Sequence, residues 1–230
     1  MNTETLNLNT SKGATTAVVA RPSGGTTAAV ILIHEWWGIN DHIRDIAGRY
    51  AKEGCICVAP DLFRGKVAKD SEEAARLMHD LDTVDGLETI SEAIVKTRAT
   101  FGAQKIGITG YCMGGIYALR AACEMPELAA AAPFYGDIPE EKVLAKLKVP
   151  TLFFAGTRDK WITPEKVELL KKAAREYNLP LEVISYDADH AFFNDTRPEV
   201  YDANAAMDAW QRTLAHYRKY LGEAARPTGA

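Results

Sequence analysis

The chain has 230 residues, of which 47% are hydrophobic, 25% charged and 9% aromatic. This ordinary globular composition excludes a disordered chain, a collagen-like repeat and a disulfide scaffold. With 31 acidic against 27 basic side chains the formal charge is −4, which argues against a protein held on a phosphate backbone by bulk charge.

The segment from Met1 to Gly13 is polar and lacks the basic and then apolar pattern of a signal peptide. The longest aliphatic run, Ala28–Ile33, is far shorter than the roughly 18 residues needed to cross a bilayer. A soluble cytoplasmic protein is therefore expected. Thr15–Ala20 suits an antiparallel edge strand. Six further short apolar runs then alternate with amphipathic stretches. Ala28–His34, Cys55–Ala59, Lys105–Thr109, Ala129–Phe134, Thr151–Ala155 and Leu181–Tyr186 read as strands, and their near-continuous hydrophobicity suits parallel strands covered on both faces. Asp41–Lys52, Ser71–Leu81, Asp85–Phe101, Gly114–Glu124, Pro139–Leu147 and Pro164–Tyr177 read as helices, with Glu199–Leu221 as a long final one. Thr163 before Pro164 places a capping hydroxyl ahead of a proline at the first helical position. Repeated β-then-α units demand right-handed crossovers and a parallel sheet, so one doubly wound α/β domain over residues 1–230 is expected, with a loose tail at 226–230.

The four cysteines read as thiols. Cys55 and Cys57 share one face of an apolar strand and lack the second ligand pair that zinc would need. Cys112 and Cys123 lie about 16 Å apart along one helix at 1.5 Å per residue, too far to bridge.

Open α/β sheets place ligands beyond the carboxyl ends of their strands. Three residues stand there after three different strands. Gly110-Tyr111-Cys112-Met113-Gly114 runs from strand into helix in the spacing of a nucleophile elbow, with cysteine at the reactive position. The helix N-terminus favours a thiolate there, and the Met113 amide can point at an oxyanion. Asp159 follows Thr151–Ala155, where a carboxylate can orient an imidazole. His190 follows the last strand. The chain order nucleophile, acid, base is that of α/β-hydrolases. Asp187 and Asp189 compete for the acid role, but each is too near His190 in sequence to occupy a separate strand end easily. His34, His42, His79 and His216 read as structural. No metal-ligand pattern is present, so neither a metal nor another cofactor is expected. A second constellation, His34-Glu35-Trp36-Trp37-Gly38, follows the first central strand, where this fold supplies its other oxyanion amide, here that of Trp36.

The set His34-Glu35-Trp36-Trp37-Gly38, Gly110-Tyr-Cys112-Met-Gly-Gly115, Gly156-Thr-Arg-Asp159 and Asp189-His190-Ala-Phe192 resembles the dienelactone hydrolase family, an α/β-hydrolase branch acting on esters and lactones. The resemblance implies Cys112 as nucleophile, His190 as general base and then acid, and Asp159 as its orienter. It also implies Glu35 as the carboxylate that helps generate the thiolate, and the Trp36 and Met113 amides as the oxyanion hole. Trp37, Tyr111, Phe134, Tyr135, Phe192 and Asn194 are expected around the substrate. One departure concerns specificity. Where the family carries two arginines that clamp a substrate carboxylate, this chain has Ser71 and Asn194. Bidentate recognition is lost with them. Arg64 and Arg76 are possible but unfavoured substitutes. The expected partner is a small ester or lactone, with neither nucleic acid nor membrane, and the oligomeric state is open. Competing readings are a carboxylesterase or thioesterase for uncharged substrates, a non-catalytic binding protein, and a thiol redox sensor built on Cys112.

Overall fold

A computed structural model describes residues 3–222, and the tail expected at 226–230 lies outside them. The described chain falls into two compact units, residues 3–107 with 221–222 and residues 108–220.

The first unit holds β1 (Thr3–Thr10), β2 (Gly13–Ala20), β3 (Ala28–Ile33), α1 (Asp41–Lys52), β4 (Ile56–Pro60), α2 (Ser71–Asp80) and α3 (Thr83–Phe101). Its strand order is β1-β2-β4-β3. Val30 pairs with Cys57 in the parallel β3–β4 ladder, while β1–β2 and β2–β4 run antiparallel. Every residue of β3 and β4 is buried, as expected for strands covered on both faces. The expected edge strand is β2, but the edge itself is β1, which the sequence reading leaves unassigned. In Thr3–Thr10 only Leu8 is buried, so an apolar periodicity has little to register. Its partner holds it instead, through a hairpin closed at Thr10 and Gly13, where φ is +114°.

The second unit takes in β5 (Lys105–Tyr111) from Ile108 onward. It continues through α4 (Met113–Glu124), β6 (Ala130–Phe134), α5 (Glu141–Leu144), β7 (Thr151–Gly156), α6 (Pro164–Glu176), β8 (Leu181–Tyr186) and α7 (Ala203–Leu221). The strand order is β5-β6-β7-β8, with β6–β7 and β7–β8 parallel. β6 and β7 are wholly buried, and β8 is only partly so.

Local chemistry explains where the helices depart from expectation. α5 is shorter than Pro139–Leu147 because Lys146 and Leu147 donate to Val143 and Leu144, three residues back, tightening the chain out of the α-helix. α7 begins at Ala203, not Glu199, because the Asp202 carboxylate accepts the Ala205 amide and caps the helix there. Thr163 occupies the predicted capping position but makes no side-chain cap bond. Its hydroxyl bonds Glu165 instead.

The two arginines weighed as substrate cations both pair with carboxylates of their own unit. Arg64 donates to the carbonyls of Gly13 and Ala14, to Thr10 Oγ1 and, at 2.6 Å, to Asp85, clamping the β1–β2 turn. Arg76 is 63% exposed on α2 and pairs with Glu73.

His34, at the end of β3, is fully buried and bonded at both nitrogens. Nδ1 donates to the Glu35 carbonyl at 2.6 Å, and Nε2 accepts the Leu62 amide at 3.1 Å. This bonding fixes a neutral ring with its proton on Nδ1. Burial lowers the His34 pKa, outweighing the Glu35 carbonyl and the Asp61 carboxylate, which raise it. A histidine whose folded pKa is depressed stabilises the fold fully above its unfolded value, about 6.5, and loses that contribution as pH falls toward the folded value. His216, lowered by burial on α7, acts with the same sign. The urea midpoint is accordingly expected to fall between pH 7.5 and pH 5, with a slope of up to about 1.4 kcal/mol per pH unit for each proton taken up. The variant His34→Gln should flatten that dependence, whereas an equally steep profile in the variant would remove His34 as its source.

Candidate active site

Cys112 sits between β5 and α4 with φ +55° and ψ −117°. A side chain rarely adopts this conformation, whose cost is on the order of 1–3 kcal/mol. The surrounding bonds enforce it. The Cys112 amide donates to Phe134 at 3.2 Å, and its carbonyl accepts the amides of Gly115 and Ile116 as the first links of α4. Two of the nearby glycines are sterically required. A Cβ on Gly110 would lie 2.1 Å from the Gly114 carbonyl oxygen, and one on Gly115 would lie 2.3 Å from that of Phe134. Gly136, just past β6, faces the same approach, with a Cβ falling 2.2 Å from the Gly115 carbonyl carbon. The sequence alone gives Gly136 no motif. Positive φ recurs at Tyr135, just past β6, at +37°, and at Ala191, in the loop directly after His190, at +63°.

Among the four thiols, Cys112 is the half-exposed one and the other three are buried. Burial pushes the Cys57 thiol far above its ordinary value, with Cys55 beside it adding to the effect. Burial also pushes Cys123 up to about 12. Neither is poised as a thiolate, whereas Cys112 stands at the N-terminus of a twelve-residue helix. Met113, 1% exposed, supplies the first amide of that helix.

Asp159 and His190 come together from the loops after β7 and β8. His190 Nδ1 and Asp159 Oδ2 lie 2.6 Å apart. The other carboxylate oxygen accepts the amides of Trp161 and Ile162 at 2.8 and 2.9 Å, so the acid is held at both ends. Burial raises the Asp159 pKa, but the hydrogen bond and charge of His190 together with the two amides outweigh it and hold the carboxyl below the usual range. The ring nitrogen aimed away from Asp159, His190 Nε2, is buried and makes no hydrogen bond among the described residues. The rival acids are engaged elsewhere: Arg158 pairs with Asp187 at 2.6 Å and with Asp189 at 3.2 Å.

The aromatic residues expected around a substrate lie deeper. Tyr111, Phe134, Tyr135 and Phe192 are fully buried in this structure. They form a packed cluster, with Tyr111 and Phe134 centroids 4.6 Å apart and the Tyr135 ring 5.0 Å from His190. Of the four, Tyr135 is the one whose ring meets the imidazole, and the others pack around it and one another. Asn194 is 2% exposed, and its Oδ1 accepts from the amide and hydroxyl of Thr196, ordering the turn after His190. In the first unit, Glu35 is 2% exposed, so it is no solvated loop carboxylate. Trp36 and Trp37 are half-buried and meet edge to face at 5.2 Å. The remaining histidines stay structural in their surroundings, with His42 buried on α1, His79 exposed in the last turn of α2 and His216 bonded to the Pro150 carbonyl.

One feature had no sequence signal. A cleft of about 340 Å³ opens beside His190, walled by Trp161 and Val200 and rimmed by Arg158, Lys160, Asp189, Arg197 and Glu199. Its residues come from two loops and form no contiguous pattern.

The sequence pattern of the dienelactone hydrolase family matches residues 15–221. The chain belongs to the dienelactone hydrolase family. Protein usf of Aquifex pyrophilus is 35% identical over 214 residues, covering 88% of this chain and 92% of its own. An Aquifex aeolicus protein named as a candidate carboxymethylenebutenolidase is 32% identical over 204 residues, covering 84% and 88%. Among solved structures, a candidate dienelactone hydrolase from Klebsiella pneumoniae superposes with a TM-score of 0.87 at 28% identity, covering 95% of this chain and 99% of that one. The fold is that of the α/β-hydrolases, and the chain is a hydrolase of the dienelactone hydrolase type.

Proposed function

We propose that the protein cleaves carboxylic ester or lactone bonds of small molecules through an acyl-enzyme on Cys112. The supporting observation is the 2.6 Å pairing of His190 with Asp159 in the same unit as a cysteine held at a glycine-flanked elbow. In the first step the Cys112 sulfur attacks the carbonyl carbon while His190 Nε2 takes the thiol proton. The carbonyl oxygen becomes an oxyanion facing the Met113 amide, an interaction worth about 2.7–4 kcal/mol of barrier in comparable sites. The C–O bond then breaks, and His190 returns the proton to the departing oxygen. In the second step His190 deprotonates a water that attacks the thioester. The C–S bond breaks, the acid leaves, and the proton returns to sulfur. Asp159 holds the Nδ1 proton throughout and stabilises each imidazolium.

Specificity departs from that of a carboxylate-clamping relative. Ser71 is the exposed first residue of α2, and Asn194 is folded into its own turn, so neither replaces a guanidinium. This favours acyl groups without a charge.

Stoichiometric alkylation tests the nucleophile. Because Cys55, Cys57 and Cys123 are buried, iodoacetamide should label Cys112 first, and hydrolysis of a small aryl ester should fall in proportion to labelling. Complete labelling of Cys112 with hydrolysis intact would exclude the thiol mechanism. Labelling of a protein that shows no ester turnover at all would point to thiol sensing or binding instead.

A further inference from the structure

The cleft beside His190 carries a further assignment, which rests on the hydrolase reading above. A general acid delivers its proton to the oxygen that leaves, so the alcohol half of the substrate must start within hydrogen-bond reach of His190. The cleft has His190 in its wall and runs outward past Trp161 and Val200. The Trp161 ring and the imidazole meet edge to face with centroids 4.7 Å apart, and Trp161 is 57% exposed, leaving an apolar surface beside the His190 ring. A volume of about 340 Å³ suits a group the size of one substituted ring.

The rim is electrostatically uneven. It carries three cations, Arg158, Lys160 and Arg197, against two carboxylates, Asp189 and Glu199. Arg158 is committed to Asp187 and Asp189, and Arg197 bonds Glu199 through Nε at 2.8 Å. Lys160 is the rim cation not held by a carboxylate, exposed and with no hydrogen bond or ion pair to another described residue. Arg197, bonded to Glu199 through Nε, lines the same cleft.

We propose that this cleft receives the alcohol half of the substrate and selects aromatic alcohols bearing a carboxylate, with Trp161 packing on the ring and Lys160, seconded by Arg197, holding the anion. The position of the charge is the distinguishing feature. It belongs on the leaving half and not on the acyl half.

Three esters test this: 4-acetoxybenzoate, charged on the leaving half; phenyl hemisuccinate, charged on the acyl half; and neutral phenyl acetate. Each kcat/KM is divided by the hydroxide-catalysed rate of the same ester to remove intrinsic reactivity. The corrected preference for 4-acetoxybenzoate over phenyl acetate should exceed one and fall about fivefold in Lys160→Gln. Lys160→Arg should retain it, and the hemisuccinate ratio should not move. A preference for the hemisuccinate, or an acetoxybenzoate ratio unchanged in Lys160→Gln, overturns the assignment. Calorimetric titration of 4-hydroxybenzoate separates the two readings. If no ester is cleaved but this product binds with Lys160-dependent affinity, the hydrolase reading fails and the anion cleft stands. If esters are cleaved but binding and ratio are both indifferent to Lys160, the cleft assignment fails alone.

Discussion

Replacement of Cys112 by alanine is expected to lower kcat for a small aryl ester by at least about 10⁴-fold, because a nucleophile and its base act as one unit and neither works without the other. The fold should survive. Alanine has a Cβ like cysteine, so it inherits the same positive φ without new strain, and Cys112 is only half-buried. The thermal midpoint should shift by no more than about 1–2 °C, as for a surface-proximal change in a domain of this size. Stopped ester hydrolysis together with an unchanged melting curve is the pattern that assigns the sulfur to chemistry. Undiminished turnover in the alanine variant would refute the assignment.

The second large effect is expected from Asp159→Asn. The two amides of Trp161 and Ile162 need an acceptor, so the asparagine oxygen must stay on their side, placing its NH₂ against His190 Nδ1. An amide donor there forces the imidazole proton onto Nε2, the atom that has to accept the thiol proton. This tautomer error costs about 10⁴-fold in kcat where a histidine base is oriented by an aspartate. KM should move far less, since the substitution alters no wall of the cleft. The pH dependence carries the same logic. Asp159 titrates below the usual carboxylate range, so its support of His190 is in place above that range and is lost as pH falls through the lowered folded value. A loss of turnover on mild acidification, from neutrality down to the carboxylate range, therefore cannot be assigned to Asp159. An aspartate-to-asparagine loss of only a few fold would assign the orienting role to another group.

Much of this site could be read in the sequence because its chemistry is locally encoded. A tight strand-to-helix turn writes glycines around Cys112, and at Gly110 and Gly115 a Cβ would meet backbone atoms closer than 3 Å. Asp159 and His190 are readable from order along the chain, since each follows a strand, wholly buried before Asp159 and partly buried before His190. The central strands were similarly plain, because strands covered on both faces leave no polar positions to confuse the pattern. Where the structure departs, the deciding interaction lies outside the segment. β1 is polar and is held by pairing with β2. Asp202 sets the start of α7 against a helical pattern that begins at Glu199. Arg64 looks like a free cation until the β1–β2 turn is folded against it. The cleft joins Lys160 and Trp161 to Arg197 and Val200, residues with no shared spacing, so only the fold brings them together.

The central claim, that an acyl group passes through one sulfur, is tested most directly by acid-quenching the enzyme within its first turnovers of 4-nitrophenyl acetate and digesting it for mass spectrometry. The account predicts one acetyl group, on the peptide that carries Cys112, formed at the rate of the initial nitrophenol burst and chased away when substrate is removed. An acetyl group on any other residue with those kinetics, or steady turnover with Cys112 never acylated, would contradict it.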